Sequence, residues 1–164
     1  MPKKINPKLE IRKAIKYCES SQFSDAISIL LMILKKYPNQ IEALTILGTA
    51  YLHQKDIKLG IKYLEKSISL NPQQNHTLNN IGNGYYELEN YLKAISYFEK
   101  SIALNPNDFN PYYNTGRAFA GMGNHIKAIS FYENAIKLNP NFSAIKANIA
   151  ISYRENKEYK KAIT

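Results

Sequence analysis

The sequence predicts an all-α chain of antiparallel helix pairs, and three observations carry that prediction. Proline recurs at Pro38, Pro72, Pro106 and Pro140, 34 residues apart each time. At fixed distances before each proline stand a small residue (Ala14, Gly48, Gly82, Gly116), an aromatic ring (Tyr17, Tyr51, Tyr85, Phe119) and a second small residue (Ala26, Gly60, Ala94, Ala128). Between these markers apolar residues fall three and four apart, the spacing of one helix face, and no alternating strand-like run is present. A fixed period in this range marks a chain of stacked repeats.

Taken in order, residues 1–6 read as an N-terminal tail and residues 7–40 as a first, degenerate repeat acting as a cap. Its first helix has Glu10, Lys13 and Ala14 where later units carry bulky apolar residues and glycine. Its second helix is unusually apolar, with Ile27, Ile29, Leu30, Leu31, Met32, Ile33 and Leu34. Residues 41–74 form the next unit. Leu44, Leu47, Tyr51 and Leu52 give the stripe of a helix over 41–54, and Leu59, Ile61, Leu64, Ile68 and Leu70 that of a helix over 58–70. Units 75–108 and 109–142 repeat the plan, with helices near 75–88, 92–104, 109–122 and 126–138. The turns inside each pair, such as Leu88–Glu89–Asn90, are short and polar, so paired helices run antiparallel. Asparagine precedes Pro72, Pro106 and Pro140 and follows Pro38, Pro106 and Pro140. Proline disfavours helical geometry in the residue before it, so these are helix ends. A glycine inside a helix costs roughly 1 kcal/mol against alanine, so the Gly48, Gly82 and Gly116 column implies close helix packing. A fifth unit begins at Ser143. Lys160, Lys161, Ala162 and Ile163 read as the start of its second helix, so the unit is truncated at Thr164. The expectation is a piece of a longer protein.

The columns Leu44–Leu47–Gly48–Tyr51, Leu78–Ile81–Gly82–Tyr85 with Ala94–Phe98–Pro106, and Tyr112–Gly116–Phe119 with Ala128–Tyr132–Pro140 resemble the tetratricopeptide repeat (TPR) family. The resemblance covers nearly the whole chain. It implies a right-handed superhelical solenoid in which the first helix of each pair lines a concave groove. One helix pair cannot bury its apolar face alone, so stacking also follows from physics.

Composition bounds the function. The net charge of +9 is uneven: residues 1–40 contribute +5, residues 41–142 only +1, and residues 143–164 +3. A near-neutral middle weighs against a nucleic-acid platform, although Lys3, Lys4, Lys8, Arg12, Lys13 and Lys16 make the N-terminal end basic. No apolar run is long enough to cross a membrane, and no secretory leader is visible. The single cysteine, Cys18, excludes an internal disulfide framework and fits a reducing, cytoplasmic setting. His53, His76 and His125 lie in separate units without ligand spacing, so no metal or other cofactor is expected. Gly82–Asn83–Gly84 lies within a helix and does not cradle phosphate. Glu65, Glu99 and Glu133 read as a solvated face, not as paired catalytic acids. The chain reads as non-catalytic.

The functional reading rests on an asparagine row. Asn80, Asn114 and Asn148 stand in register, one per unit. The residues left over from the apolar columns, spaced three and four apart, share one helix face. If first helices line a groove, the face is Asn79, Asn80, Asn83, Asn110, Tyr113, Asn114, Arg117 and Asn148. A carboxamide donates and accepts, so it can pair with a peptide N–H and C=O together. The expected function is a protein- or peptide-binding scaffold. In the first two units the same register holds Arg12 and Ile46, which confines the row to the C-terminal half. Family members that clamp a chaperone C-terminal carboxylate surround asparagines with basic residues. Asn83 and Asn114 match those asparagines, but Asn79, Ala144 and Asn148 replace the basic positions, which argues against that clamp. Asn79–Asn80–Ile81–Gly82–Asn83 also resembles the repeat arm of O-linked N-acetylglucosamine transferases and their bacterial relatives. Three alternatives therefore stand beside the scaffold: the recognition arm of a larger enzyme, nucleic-acid binding through the basic ends, and self-association through Ile149, Tyr153 and their neighbours in the truncated repeat.

Overall fold

A computed structural model describes residues 6–157. Among the described residues are nine α-helices and no strand: α1 (Pro7–Glu19), α2 (Phe23–Lys36), α3 (Ile41–His53), α4 (Ile57–Leu70), α5 (Asn75–Glu87), α6 (Tyr91–Leu104), α7 (Phe109–Gly121), α8 (His125–Leu138) and α9 (Ser143–Glu155). The fold is all-α, as expected, and each anticipated helix lies within about a residue or two of its sequence-based bounds, the uncertainty that fraying ends allow. The helices divide into two compact units, one ending at Gly84 and the other beginning at Tyr85. The expected second helix of the last repeat, Lys160 to Ile163, lies outside the described residues.

The turns within the pairs share one device. The residues Ser21, Lys55, Glu89, Gly123 and Lys157, at the same repeat position, all have positive φ, from 57° at Glu89 to 74° at Gly123. A left-handed residue after a helix lets the next N–H groups turn back onto the last carbonyls. Thus Lys55 N–H donates to the Leu52 carbonyl (3.1 Å) and Asp56 N–H to the Tyr51 carbonyl (3.0 Å). The same two bonds recur from Ser21 and Gln22, from Glu89 and Asn90, and from Gly123 and Asn124. The following residue then opens the next helix. The side chains of Asp56, Asn90 and Asn124 accept the backbone N–H of Leu59, Lys93 and Lys127 at 3.4, 3.3 and 3.1 Å. Such an N-cap is worth about 1 kcal/mol. One turn of three residues therefore closes one helix and starts its partner.

In the first unit, Ile11, Ala14, Ala26, Ile27, Leu30, Ile33, Ala43, Leu47 and Ala50 form one buried cluster from α1, α2 and α3. Of the apolar run in α2, Ile27, Leu30 and Ile33 point inward while Leu31 and Met32 are exposed. The small residues act as the sequence implied: a Cβ on Gly48 would lie 2.6 Å from Leu64 Cγ and 2.9 Å from the Gly60 carbonyl oxygen. The helices α3 and α4 touch through bare backbone. In the second unit Ala94, Ile95, Phe98 and Ala118 form one cluster, and Ala128, Tyr132, Ala135 and Ile145 another. Here a Cβ on Gly116 would meet the Tyr132 ring at 2.5 Å.

Each unit also carries stacked rings that bridge a helix pair. Tyr51 faces Tyr63 in the first unit, and Tyr85 faces Tyr97 and Phe119 faces Phe131 in the second, with centroids 5.4–5.7 Å apart. These partners are 12 residues apart in every case. In the second unit Lys93 sits over Tyr85 and Lys127 over Phe119. The aromatic column of the first helices is thus half of a ring pair whose other half lies in the second helix.

Candidate functional site

In each unit the first helices present a face, and the two faces differ in chemistry. In the first unit α1 and α3 stand side by side. They border a cleft of about 500 Å³, lined mainly by Ile15, Cys18, Phe23, Ile46, Ala50 and His53, with Glu19, Thr45 and Thr49 adding polar atoms. The Phe23 and His53 rings stack in parallel, 4.8 Å apart. Burial raises the Cys18 thiol above its ordinary value and the neighbouring Glu19 carboxylate adds to the rise. Cys18 is therefore a protonated wall of the cleft at neutral pH, and not an activated nucleophile. Behind it lies a hydrogen-bonded cluster. The hydroxyls of Thr45 and Ser67 are 2.7 Å apart, and Gln74 donates to the Ser67 carbonyl (3.2 Å) and accepts from Thr77 (3.3 Å).

In the second unit the face comes from the end of α5, from α7 and from α9. The Arg117 guanidinium lies over the Tyr86 ring, 4.3 Å from its centroid, and 5.9 Å from that of Tyr113. It donates to the Asn114 side-chain oxygen at 3.5 Å. Asn148 reaches from α9 and donates to the Tyr113 hydroxyl at 3.0 Å. Tyr113 also packs edge-on against Phe142 and at a tilt against Tyr132. Tyr132 is 2% exposed and floors the site. Burial drives its phenol far above the usual range; Tyr113 and Tyr86 add to the rise and Arg117 opposes it.

The expected row is therefore not a uniform ladder. Asn79 and Asn114 are 9% and 8% exposed and face the interior, where α-helical geometry carried them past the solvent side. Asn80 is half-buried and donates to the Thr49 hydroxyl at 3.3 Å. Asn83 is half-buried, and its side-chain oxygen is buried without a partner. Asn110 is exposed, and its backbone and side-chain N–H groups both bond Asp108, at 3.0 and 2.8 Å. That is a helix-start contact. Tyr113, Arg117 and Asn148 are the anticipated residues that the fold joins into one cluster. Tyr86 completes it, and its place on the face was visible only as a position left over from the apolar columns. For the cleft the sequence holds one signal: Ile46 stands in the asparagine register, a change to apolar chemistry.

The remaining candidates separate. His53 is held in its ring stack, and among the described residues no group of three or more His, Cys, Asp or Glu side chains is placed to hold a metal. Of the basic N-terminal residues, Lys13 pairs with Glu10 at 2.9 Å, Arg12 and Lys16 are exposed, and Lys3 and Lys4 lie outside the described residues. Ile149 packs against the α7–α9 core. Among the described residues no helix is long and apolar enough to cross a membrane.

Tetratricopeptide repeat models match residues 41–74, 77–108 and 110–142. The chain belongs to the tetratricopeptide repeat family. No curated protein matches the sequence. Among solved structures, a crystal structure of MamA protein is similar over 96% of this chain and 86% of its own, with 26% identity and a TM-score of 0.87. A second MamA crystal structure is similar over 92% and 88%, with 27% identity and a TM-score of 0.85. MamA from Desulfovibrio magneticus, residues 41 to the end, shares 20% identity over 96% of this chain and 89% of its own, with a TM-score of 0.88, which speaks to fold alone. The TPR chain is thus a solenoid-type repeat protein, of the class that serves as protein-interaction scaffolds.

Proposed function

We propose that the first-helix faces bind extended segments of a partner protein, each unit offering its own surface. The observation that supports it best is the cluster of Tyr86, Tyr113, Arg117 and Asn148. It sets aromatic area and fixed polar groups on one half-exposed surface, where Tyr86 and Tyr113 also pack against the core clusters beneath. Tyrosine and arginine are the residue types that dominate binding hot spots, because they bring large contact area with little freedom to lose. Half-exposed amides and phenols supply hydrogen bonds to a peptide main chain without reading side chains. In the first unit the cleft at Ile15, Ile46 and Phe23 would take an apolar side chain.

Fluorescence polarisation against a library of labelled decapeptides tests this reading. Tyr113→Ala and Ile46→Lys are expected to weaken the peptides that bind by tenfold or more, with unchanged helical circular dichroism. Equal binding by the wild-type chain and both variants would take these faces out of the function.

A further inference from the structure

Three facts about the second unit's cluster point to the kind of group it takes. The first is the state of Arg117. Its partners among the described residues are two aromatic rings and the Asn114 oxygen, and none is a carboxylate. A guanidinium carries five N–H donors and no acceptor, so at least four donors are left over from the single 3.5 Å bond to Asn114. The positive charge is half-buried and has no counter-charge in that cluster.

The second is its orientation. The guanidinium carbon lies over the Tyr86 ring, 4.3 Å from its centroid, and the donors of a planar guanidinium lie along its edges. An edge with two parallel N–H groups matches the two oxygens of a carboxylate. The third is the Tyr113 hydroxyl. A phenolic oxygen can accept and donate once each. Asn148 donates to it, which uses a lone pair and leaves the O–H proton to point elsewhere. Asn148 is thus a positioning residue: it turns Tyr113 into a donor. Arg117 and Tyr113 thus hold donors within one cluster, and such a set calls for a ligand that only accepts.

Resting on the peptide-binding reading above, we propose that Arg117 and Tyr113 select one carboxylate side chain, an Asp or Glu, in the bound segment. A single guanidinium matches the single charge of a carboxylate; a phosphate monoester carries nearly two charges and more acceptor oxygens, which this one cation does not balance.

Two measurements on the full chain test the proposal. In a positional-scanning library of amidated decapeptides, the wild-type chain should enrich Asp or Glu at one position. Replacing that residue with Asn or Gln should cost about tenfold in affinity, the scale of a charge-assisted hydrogen bond. Arg117→Gln should abolish the acidic preference, Tyr113→Phe should weaken it, and Arg117→Lys should retain only part of it because the planar edge is gone. Peptides that bind without an acidic preference, or with the same preference in Arg117→Gln, would overturn the carboxylate site and leave peptide binding standing. The second measurement needs no peptide. Titration with sodium acetate, against sodium chloride at equal ionic strength, should shift the Arg117 side-chain N–H resonance in the wild-type chain, with a weaker response in Tyr113→Phe. No acetate-specific shift would sink the proposal even if no peptide is found. A stronger response to inorganic phosphate than to acetate would overturn the choice of carboxylate.

Discussion

The helices α3 and α7 hold the same repeat positions in different units, and they have been given different work. Where α3 carries Thr45, Ile46 and Thr49, α7 carries Tyr113, the inward-facing Asn114 and Arg117. Leu52 in α3 corresponds to Tyr86 at the end of α5. The positions that hold the helix pairs together change far less. Gly48 and Gly116 share one column, Leu64, Phe98 and Tyr132 another, and each small residue faces a large one. The first unit therefore offers a hydrocarbon cleft closed by the Phe23–His53 stack, and the second a cation on phenols. The difference teaches that the repeat's frame and its surface chemistry are set by separate columns. A change in the frame should unfold a unit; a change on the face should alter only what is bound.

The sharpest way to break that separation is to crowd the frame. Gly48→Val and Gly116→Val each place a branched side chain against a packed neighbour. Overpacking of this kind costs about 1–3 kcal/mol. Both variants should show lower denaturant midpoints, whereas Ile46→Lys and Arg117→Gln should stay near the wild-type value. A frame variant with full stability would show that α3 and α4, or α7 and α8, part without loss.

The floor of the second unit gives a pH-dependent version of the same comparison. The Tyr132 phenol is raised from its ordinary value of 10. A group whose folded-state pKa is raised contributes stability that is whole below the unfolded value and lost as pH climbs through it toward the folded one. The chain should therefore lose stability above about pH 10. Tyr132→Phe should flatten that loss, as seen in thermal midpoints measured from neutral to strongly alkaline pH. Tyr51 in the first unit is raised for a related reason, burial beside Tyr63 and Asp56, so part of the alkaline loss should survive in the Phe variant. An unchanged slope would mean that the Tyr132 phenol titrates in the folded chain as it does in the unfolded one.

The smallest effects are expected in the turns. Lys55 and Glu89 occupy the left-handed region that Gly123 fills without strain. Left-handed geometry costs a residue with a side chain about 1–2 kcal/mol, and glycine gives some of this up by loosening the unfolded chain. Lys55→Gly and Glu89→Gly should raise stability by about 0.5–1 kcal/mol, and Gly123→Ala should lower it by a similar amount. A loss in both glycine variants would show that the side chains of Lys55 and Glu89 contribute more than their backbone strain removes.

These turns also mark where the sequence could and could not be read. The period was legible because proline, glycine and aromatic residues leave strong local signals at fixed spacing. The left-handed turn position was not, because Ser21, Lys55, Glu89 and Lys157 carry no such signal and Gly123 alone does. The ring pairs were half legible: Tyr51, Tyr85 and Phe119 stood out as a column, but Tyr63, Tyr97 and Phe131 lie outside the apolar stripes that spacing picks out. At the candidate site, periodicity put Tyr113, Arg117 and Asn148 on a common face. It did not tell them from Asn79 and Asn114, because a helix face read from spacing alone is blurred by a residue on either side. Which amide turns inward depends on how the neighbouring helix packs, and that information lies about a repeat away in the chain.

The two kinds of joint in the chain have different tolerances. Within a pair, the closing hydrogen bonds of one helix and the opening cap of the next share three consecutive residues, so one inserted residue would unfasten both. Between pairs, the Asn71 and Asn105 side chains accept the backbone N–H of Gln73 and Asn107 across a proline, a contact made within the joint itself. A whole hairpin added or removed at the asparagine–proline joints would leave every inner turn's closing bonds and opening cap intact, whereas a residue added inside an inner turn would not.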